Sequence, residues 1–255
     1  MAPTHENHSA PVRTSAPAPA PQDPAPHGHG LLLRRWDAGS DADLAAWFRG
    51  RTDPEFRRWN TPYRVDTDLD SARESLRGQL RSAADGINAP FCVADAATGA
   101  PLGHVGINLI DRVQSTARVG YWVLPEARGQ RVATRALGLA ARWAFTELGL
   151  HRLELGHALG HDASCRIAQS CGFRYEGTLR DAMFASGRHD AFRDVHLHGR
   201  LATDPNPESD PNPDPESESA PESANGSESA AHPGPAADQA PAADQGPAAD
   251  QGPAL

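Results

Sequence analysis

The amino-acid sequence predicts an α/β domain, a mixed sheet with helices on both faces, set between two extended tails. Three observations carry that prediction. The 23 prolines are unevenly placed: seven fall in residues 1–30, eleven in 203–255 and five in the 172 residues between. Both ends are rich in Pro and Ala and nearly free of large apolar side chains, so burial there cannot offset the entropy lost on folding. Between 31 and 202, stretches of period-two apolar alternation trade places with helical stripes, the pattern of strands and helices layered on one sheet. That stretch has the length of one ordinary domain, enough for a real core.

The elements follow in order. Leu31-Leu32-Leu33 starts a strand, and Ser40 or Asp41 can cap a helix carrying Leu44, Trp47 and Phe48. Pro54 and Pro62 bracket a short helical turn, and Leu69, Leu76 and Leu80 mark one face of a further helix. Strands are expected at 91–95, 103–110 and 117–124, the first two joined by the turn Ala97-Thr98-Gly99-Ala100-Pro101. Arg118–Leu124 is apolar on both faces and belongs at the centre of a sheet; Pro125 stops it. The best helix is expected at 130–148, where Ala133, Leu137, Ala140, Ala144 and Leu148 form a stripe that Gly149 can close. A strand at 151–157, a short helix from Asp162 to Cys171 ended by Gly172, and strands near 173–184 and 190–198 complete the domain.

Charge divides along the same boundaries. Residues 203–255 carry eleven carboxylates and no arginine, and residues 1–30 a net of −1, so the chain's net of −9 leaves 31–202 at +3. The acidic tail ends in repeats of Gly-Pro-Ala-Ala-Asp-Gln, first at 234–239, which read as extended, solvated coil, either an arm that masks the basic domain or low-complexity drift. His27-Gly28-His29 reads as part of a flexible polar tail.

All 24 cationic residues are arginine. A phosphate loop ending in Lys-Ser/Thr, a Schiff-base lysine and a kinase-type strand lysine are therefore excluded. Cys92, Cys165 and Cys171 form no Cys-x-x-Cys pair and read as reduced thiols of a cytoplasmic protein. Residues 1–30 lack a signal-peptide apolar stretch, and no run approaches about 18 apolar residues, so no membrane association is expected. The arginines between 49 and 81 alternate with carboxylates and make no nucleic-acid stripe. His157, His161 and Cys165 are spaced by four, but His157 falls in a strand, which breaks a helical metal face; no metal is expected. His189, His196 and His198 read as lining a late strand.

The segment Pro125–Thr134 joins the central strand directly to the amino end of the long helix. Free backbone N–H groups and the positive end of the helix dipole suit a phosphate there. Gly129 allows close approach, Ala133 is small, and Arg128, Arg131 and Arg135 add charge. This segment resembles the acyl-CoA pyrophosphate loop of the GNAT superfamily, Gln/Arg-x-x-Gly-x-Gly/Ala, with Arg128 first and Ala133 last. Arg131 stands at the central glycine position, where a side chain is tolerable if the backbone dihedrals remain helical. Val119-Gly120-Tyr121-Trp122-Val123 is similar to the central-strand signature of RimJ/RimL-type acetyltransferases. Ala163–Ala168, Cys171-Gly172-Phe173 and Glu176–Arg180 resemble the later helix, turn and strand of the same group. The resemblance covers about 31–202 and leaves both tails, 1–30 and 203–255, outside.

The resemblance implies a GNAT fold with a mostly antiparallel sheet, and acetyl-CoA as co-substrate between strands 118–124 and 151–157. Implied cofactor contacts are Trp122, Val123, Leu124, Arg128, Gly129, Gln130, Arg131, Val132, Ala133 and Thr134. A backbone N–H near Trp122 or Val123 would face the oxyanion. Ser164 is implied as proton donor to the departing thiolate; it is equally a helix-cap serine. No base carries over directly: His161 stands where relatives often have Asn, Arg118 where they often have an acid, and Met183 where some have Glu. Glu176 matches the family, and His161, at a reference pKa of about 6.5, suits proton transfer. The expected acceptor is a primary amine, specifically a protein N-terminal amine of ribosomal-protein type. A small-molecule amine and a non-catalytic acyl-CoA-binding role are the alternatives.

Overall fold

A computed structural model describes residues 25–207 of the chain. The readings of residues 1–24 and 208–255 as solvated tails lie outside the described residues. Eight strands form one sheet: β1 (His27–Gly28), β2 (Leu31–Arg35), β3 (Ala89–Asp95), β4 (Pro101–Asp111), β5 (Thr116–Val123), β6 (Arg152–Ala158), β7 (Arg174–Phe184) and β8 (Phe192–Leu201). Their spatial order is β1-β2-β3-β4-β5-β6-β8-β7. Every neighbouring pair is antiparallel except β5 and β6. Five helices accompany it: α1 (Asp41–Thr52), α2 (Pro54–Trp59), α3 (Leu69–Ala84), α4 (Val132–Thr146) and α5 (Asp162–Ser170).

Side-chain caps start the first three helices. Ser40 caps α1 by accepting the Asp43 N–H, and Asp53 caps α2 by accepting the Phe56 N–H, with Pro54 in the first turn. Asp68 and Ser71 cap α3 reciprocally. The buried Asp43 carboxylate takes two 2.7 Å bonds from Arg34, which ties α1 to β2.

The core has two halves, one on each face of the sheet. Leu31, Leu33, Phe91, Val93, Val105 and Ile107 pack with Leu137, Ala140 and Ala144 of α4, and Ala168 of α5 joins that layer. On the other face Cys92, Ala94, Trp122 and Leu124 pack with Leu44 and Trp47 of α1 and Leu76 of α3. Strand β3 sends alternate residues into both halves, so it is buried from Ala89 to Ala94.

The sequence-based outline needs four corrections. The sheet begins before residue 30: His27–Gly28 pairs with Leu31–Leu32, and the Pro26 carbonyl accepts from the Leu33 N–H at 2.8 Å. The polar His27-Gly28-His29 segment is thus an edge hairpin arm, not tail. At the other end the described chain continues to 207, with Asp204 accepting the Leu201 N–H at 2.8 Å. Leu69, assigned to the apolar face of its helix, is 48% exposed because it sits in the first turn, beyond the core. Leu109 adopts φ 52° and interrupts the β4–β5 ladder between Asn108 and Asp111, which simple alternation does not reveal.

Candidate functional site

Strands β5 and β6 run parallel but pair only at Thr116–Arg152, Ala117–Leu153 and Arg118–Glu154. Beyond Arg118 they diverge. β5 keeps its β4 partners up to Val123, while the far half of β6 stays with β8. The divergence leaves one edge of residues 119–123 without a strand neighbour. Two bonds fix which groups face it. The Ser115 carbonyl accepts from His151 on the β6 side, and the Leu124 N–H donates to Leu102 on the β4 side. Alternation along an extended strand then turns the Tyr121 and Val123 N–H groups toward the opening and that of Trp122 toward β4. Of the two residues proposed as oxyanion donors, Val123 has the free orientation.

The edge leads into the loop expected from sequence. Pro125–Ala127 makes one 3₁₀ turn, Gly129 adopts φ +74°, and Arg131 caps α4 at φ 54°, ψ 23° with no side-chain cap bond. The Arg131 backbone is therefore left-handed, not helical as the sequence reading required of a side chain at this position. A non-glycine residue held there costs energy, and the glycine of the related loops would adopt the same shape freely. With no side chain capping the helix, the first-turn N–H groups of Val132, Ala133 and Thr134 lack intrahelical acceptors and sit at the positive end of the dipole.

The three loop arginines divide their roles. Arg128 pairs with Asp53 and donates to the Val123 carbonyl at 3.2 Å. Arg135 donates to the carbonyls of His29 and Gln130, the latter at 3.0 Å, tying α4 to the β1–β2 turn. Arg131 is exposed, its guanidinium in no hydrogen bond or ion pair of the described residues.

A cavity of about 450 Å³ opens over this junction, its walls drawn from α2, β5, the loop, the first turn of α4 and α5. At its inner end the Tyr121 hydroxyl and Ser164 Oγ are 2.8 Å apart. Burial pushes the Tyr121 phenol up to about 12, more than the Ser164 bond lowers it, so it remains a proton donor at neutral pH. At the α2 end His161 stacks on Trp59, ring centroids 4.4 Å apart and planes within 3°. Trp59 donates its indole N–H to Glu55 at 2.7 Å. Burial, with His157 adding, pulls His161 down to about 4, so the ring is neutral at pH 7 and a weaker base than its reference value suggests. Behind the cavity, Trp122 packs with Trp36, Trp47 and His104. Trp36 donates to His104 Nδ1 at 3.1 Å, and burial holds that imidazole neutral, down to about 3.

Most residues expected from sequence meet here, but not all. Trp122, Val123, Arg128, Gly129, Arg131, Val132, Ala133, Thr134 and His161 line the cavity. Leu124 does not: its side chain is buried beside Trp122 and its N–H is bonded to β4. Gln130 turns back to donate to the Glu126 carbonyl at 2.9 Å. Ser164 reaches the site through Tyr121. Glu176 is absent from the cavity wall; Arg152 takes both its oxygens at 2.8 and 2.5 Å and holds its carboxyl below the usual range. In the structure its carboxylate forms an ion pair between β6 and β7. Sequence reading missed Glu55, Trp59 and Arg166 on the wall, and the contact between Tyr121 and Ser164. Tyr121 was readable as the strand residue facing opposite to Trp122; Arg166 lies within the Ala163–Ala168 match, which gives it no role, and Glu55 and Trp59 lie in a segment without a motif.

Comparison with known proteins agrees with this geometry. The acetyltransferase (GNAT) domain family matches residues 30–174. The ribosomal-protein-serine acetyltransferase of Escherichia coli is 29% identical over 100 residues, 39% of this chain and 54% of that protein. The spermidine N(1)-acetyltransferase of Escherichia coli is 32% identical over 111 residues, 43% of this chain and 60% of that protein. The chain thus spans little more than half the length of these curated relatives. The structure of Mycobacterium smegmatis RimJ in complex with CoA-disulfide superposes with a TM-score of 0.61 at 27% identity, covering 68% of this chain and 82% of RimJ. The family match runs through the splayed strands, the left-handed loop and the long helix, and the chain belongs to the GNAT acetyltransferase family.

Proposed function

We propose that this chain is an acetyl-CoA-dependent N-acetyltransferase whose acceptor is a protein N-terminal α-amine. The observation that carries the reading is the free edge of β5 running into the uncapped start of α4. One provides backbone partners for an extended pantetheine arm, the other N–H donors for a pyrophosphate. Arg131 and Arg166 supply cations at the rim.

In this reading the amine nitrogen attacks the thioester carbon and the carbonyl oxygen takes up negative charge, facing the Val123 N–H. The carbon–sulfur bond then breaks, and the Tyr121–Ser164 pair gives a proton to the leaving thiolate. The attacking nitrogen loses its own proton to His161 or to water. The weakness of that base bears on the acceptor. An α-amine, with a reference pKa of about 7.7–8.0, is substantially neutral near pH 7.5, whereas an alkylamine near 10.4 is about a thousandfold protonated. A site with a base near 4 suits the first.

One observation favours a second reading. Glu55 and Trp59 on the wall form a carboxylate-plus-aromatic pair able to hold a small polyamine cation, and one relative is a spermidine acetyltransferase. Intact-mass analysis separates the readings: the full chain is incubated with acetyl-CoA and a panel of N-terminal peptides and polyamines. Acetyl gain on peptides alone supports the first and on polyamines alone the second. No transfer with retained coenzyme A binding leaves a non-catalytic acyl-CoA protein. No helix of the described residues is long and apolar enough to cross a membrane, and the three free cysteines fit the cytoplasmic location included in this proposal.

A further inference from the structure

Behind the start of α5, on the sheet face it covers, four side chains from three elements converge: His157 of β6, Cys165 of α5, and His196 and His198 of β8. His157 and His196 are cross-strand partners, and His198, two residues on, lies on the same face. We propose that these four residues bind one Zn²⁺ ion as a closed structural site.

Distances carry the proposal. His157 Nε2 stands 3.2 Å from His198 Nε2, and Cys165 Sγ stands 3.5 Å from the same atom. A tetrahedral zinc, with bonds of about 2.0–2.1 Å to nitrogen and 2.3 Å to sulfur, sets edges of about 3.3–3.4 Å for N···N and 3.5–3.6 Å for N···S. The two observed edges, 3.2 Å and 3.5 Å, lie within about 0.1 Å of those values, and all four donor atoms lie within 4.8 Å of one another. Orientation agrees. His157 Nδ1 is 3.1 Å from the Ala158 carbonyl, which can only accept, so Nδ1 carries the proton and Nε2 presents its lone pair to the cluster. His157 and His198 are buried, which favours retention of an ion once bound. Three imidazoles and one thiolate in a closed tetrahedral set suit zinc rather than the oxygen-seeking Mg²⁺ or Ca²⁺. On binding, the Cys165 thiol gives its proton to solvent and the S–Zn bond forms, with no redox change.

The consequence is mechanical. Ser164 immediately precedes Cys165, so a zinc here would anchor to β6 and β8 the helical turn that presents Ser164 to Tyr121. None of the four side chains lines the cavity, although His157 packs edge-on to His161 on its wall, and the proposal does not depend on the catalytic reading.

The test uses the full chain, purified without immobilised metal, and measures zinc by plasma mass spectrometry against Cys165→Ser and His196→Gln. About one zinc per chain is expected in the parent and less than roughly 0.2 in each variant; the difference removes weak binding by histidines elsewhere. The metal-free parent titrated with Co²⁺ should develop a thiolate-to-cobalt charge-transfer band and tetrahedral d–d bands, saturating at one equivalent. This second measurement needs no variant to fold. Equal zinc in parent and Cys165→Ser, or Co²⁺ titration without a thiolate band, would overturn the proposal.

Discussion

Replacing Arg131 with Gly separates two properties of the cofactor loop that act in opposite directions. At φ 54°, ψ 23° the residue is left-handed, which costs a side-chain-bearing residue about 1–2 kcal/mol. Glycine removes that cost but gives back roughly 0.5–1 kcal/mol through its greater freedom in the unfolded chain. A net stabilisation of about 0.5–1 kcal/mol remains, raising Tm by about 1–4 °C for a domain of this size. The same change deletes an exposed guanidinium at the cavity rim. A charge-assisted bond to a phosphate is worth about 1.5–3 kcal/mol, and exposure puts this one at the low end, so coenzyme A should bind roughly tenfold more weakly. Arg131→Ala keeps the strain and loses the charge: the same loss of affinity is expected without the gain in Tm. Scanning calorimetry and calorimetric titration with coenzyme A read the two effects separately. A fall in Tm for Arg131→Gly would refute the left-handed assignment. Unchanged affinity in both variants would refute a phosphate contact by the side chain and leave binding to the backbone alone.

The other predictions follow from neighbouring contacts. Tyr121→Phe removes the hydroxyl 2.8 Å from Ser164 and should lower kcat about 10²-fold with little change in KM for acetyl-CoA, by steady-state kinetics; a normal kcat would exclude Tyr121 from proton delivery. His104 is held near 3 against an ordinary 6.5, so the unfolded chain binds its proton first. Its contribution is complete above pH 6.5 and is lost, on the order of a few kcal/mol, as pH falls toward 3; His104→Asn, which retains an acceptor for Trp36, should flatten denaturation free energies between pH 6.5 and 4. Deleting 1–24 and 208–255 should leave Tm nearly unchanged, because their composition offers no core contacts. Extending the N-terminal deletion to residue 30 removes the Pro26 and Gly30 carbonyls that accept from Leu33 and Ala96 and should cost about 1–2 kcal/mol.

What the sequence disclosed depended on whether the information was local. The loop could be read because strand, stop, glycine and helix follow one another within 118–148, and an apolar run on both faces placed β5 at the sheet's centre. The short segment shared by β5 and β6 could not be read, since only the register ends the pairing at Arg118. On helical spacing His157 and Cys165 group with His161, whereas the β6–β8 pairing brings His157 beside His198, 41 residues on, and α5 adds Cys165 to them. The motif match at Glu176 names a position without its partner, because Arg152, which engages it, lies on another strand. Residue type alone also could not give the base strength of His161, which the surrounding burial sets.

The central claim is that the free β5 edge and the start of α4 form an acyl-CoA site, and calorimetric titration of the parent and Gly129→Val tests it most directly. Gly129 stands at φ +74° with open space beside it, so a β-branched residue strains the turn at the proposed phosphate loop without clashing with the rest of the protein. The account predicts saturable one-to-one binding of coenzyme A to the parent and clearly weaker binding to the variant. Absence of binding to the parent, or full-strength binding to Gly129→Val, would contradict it.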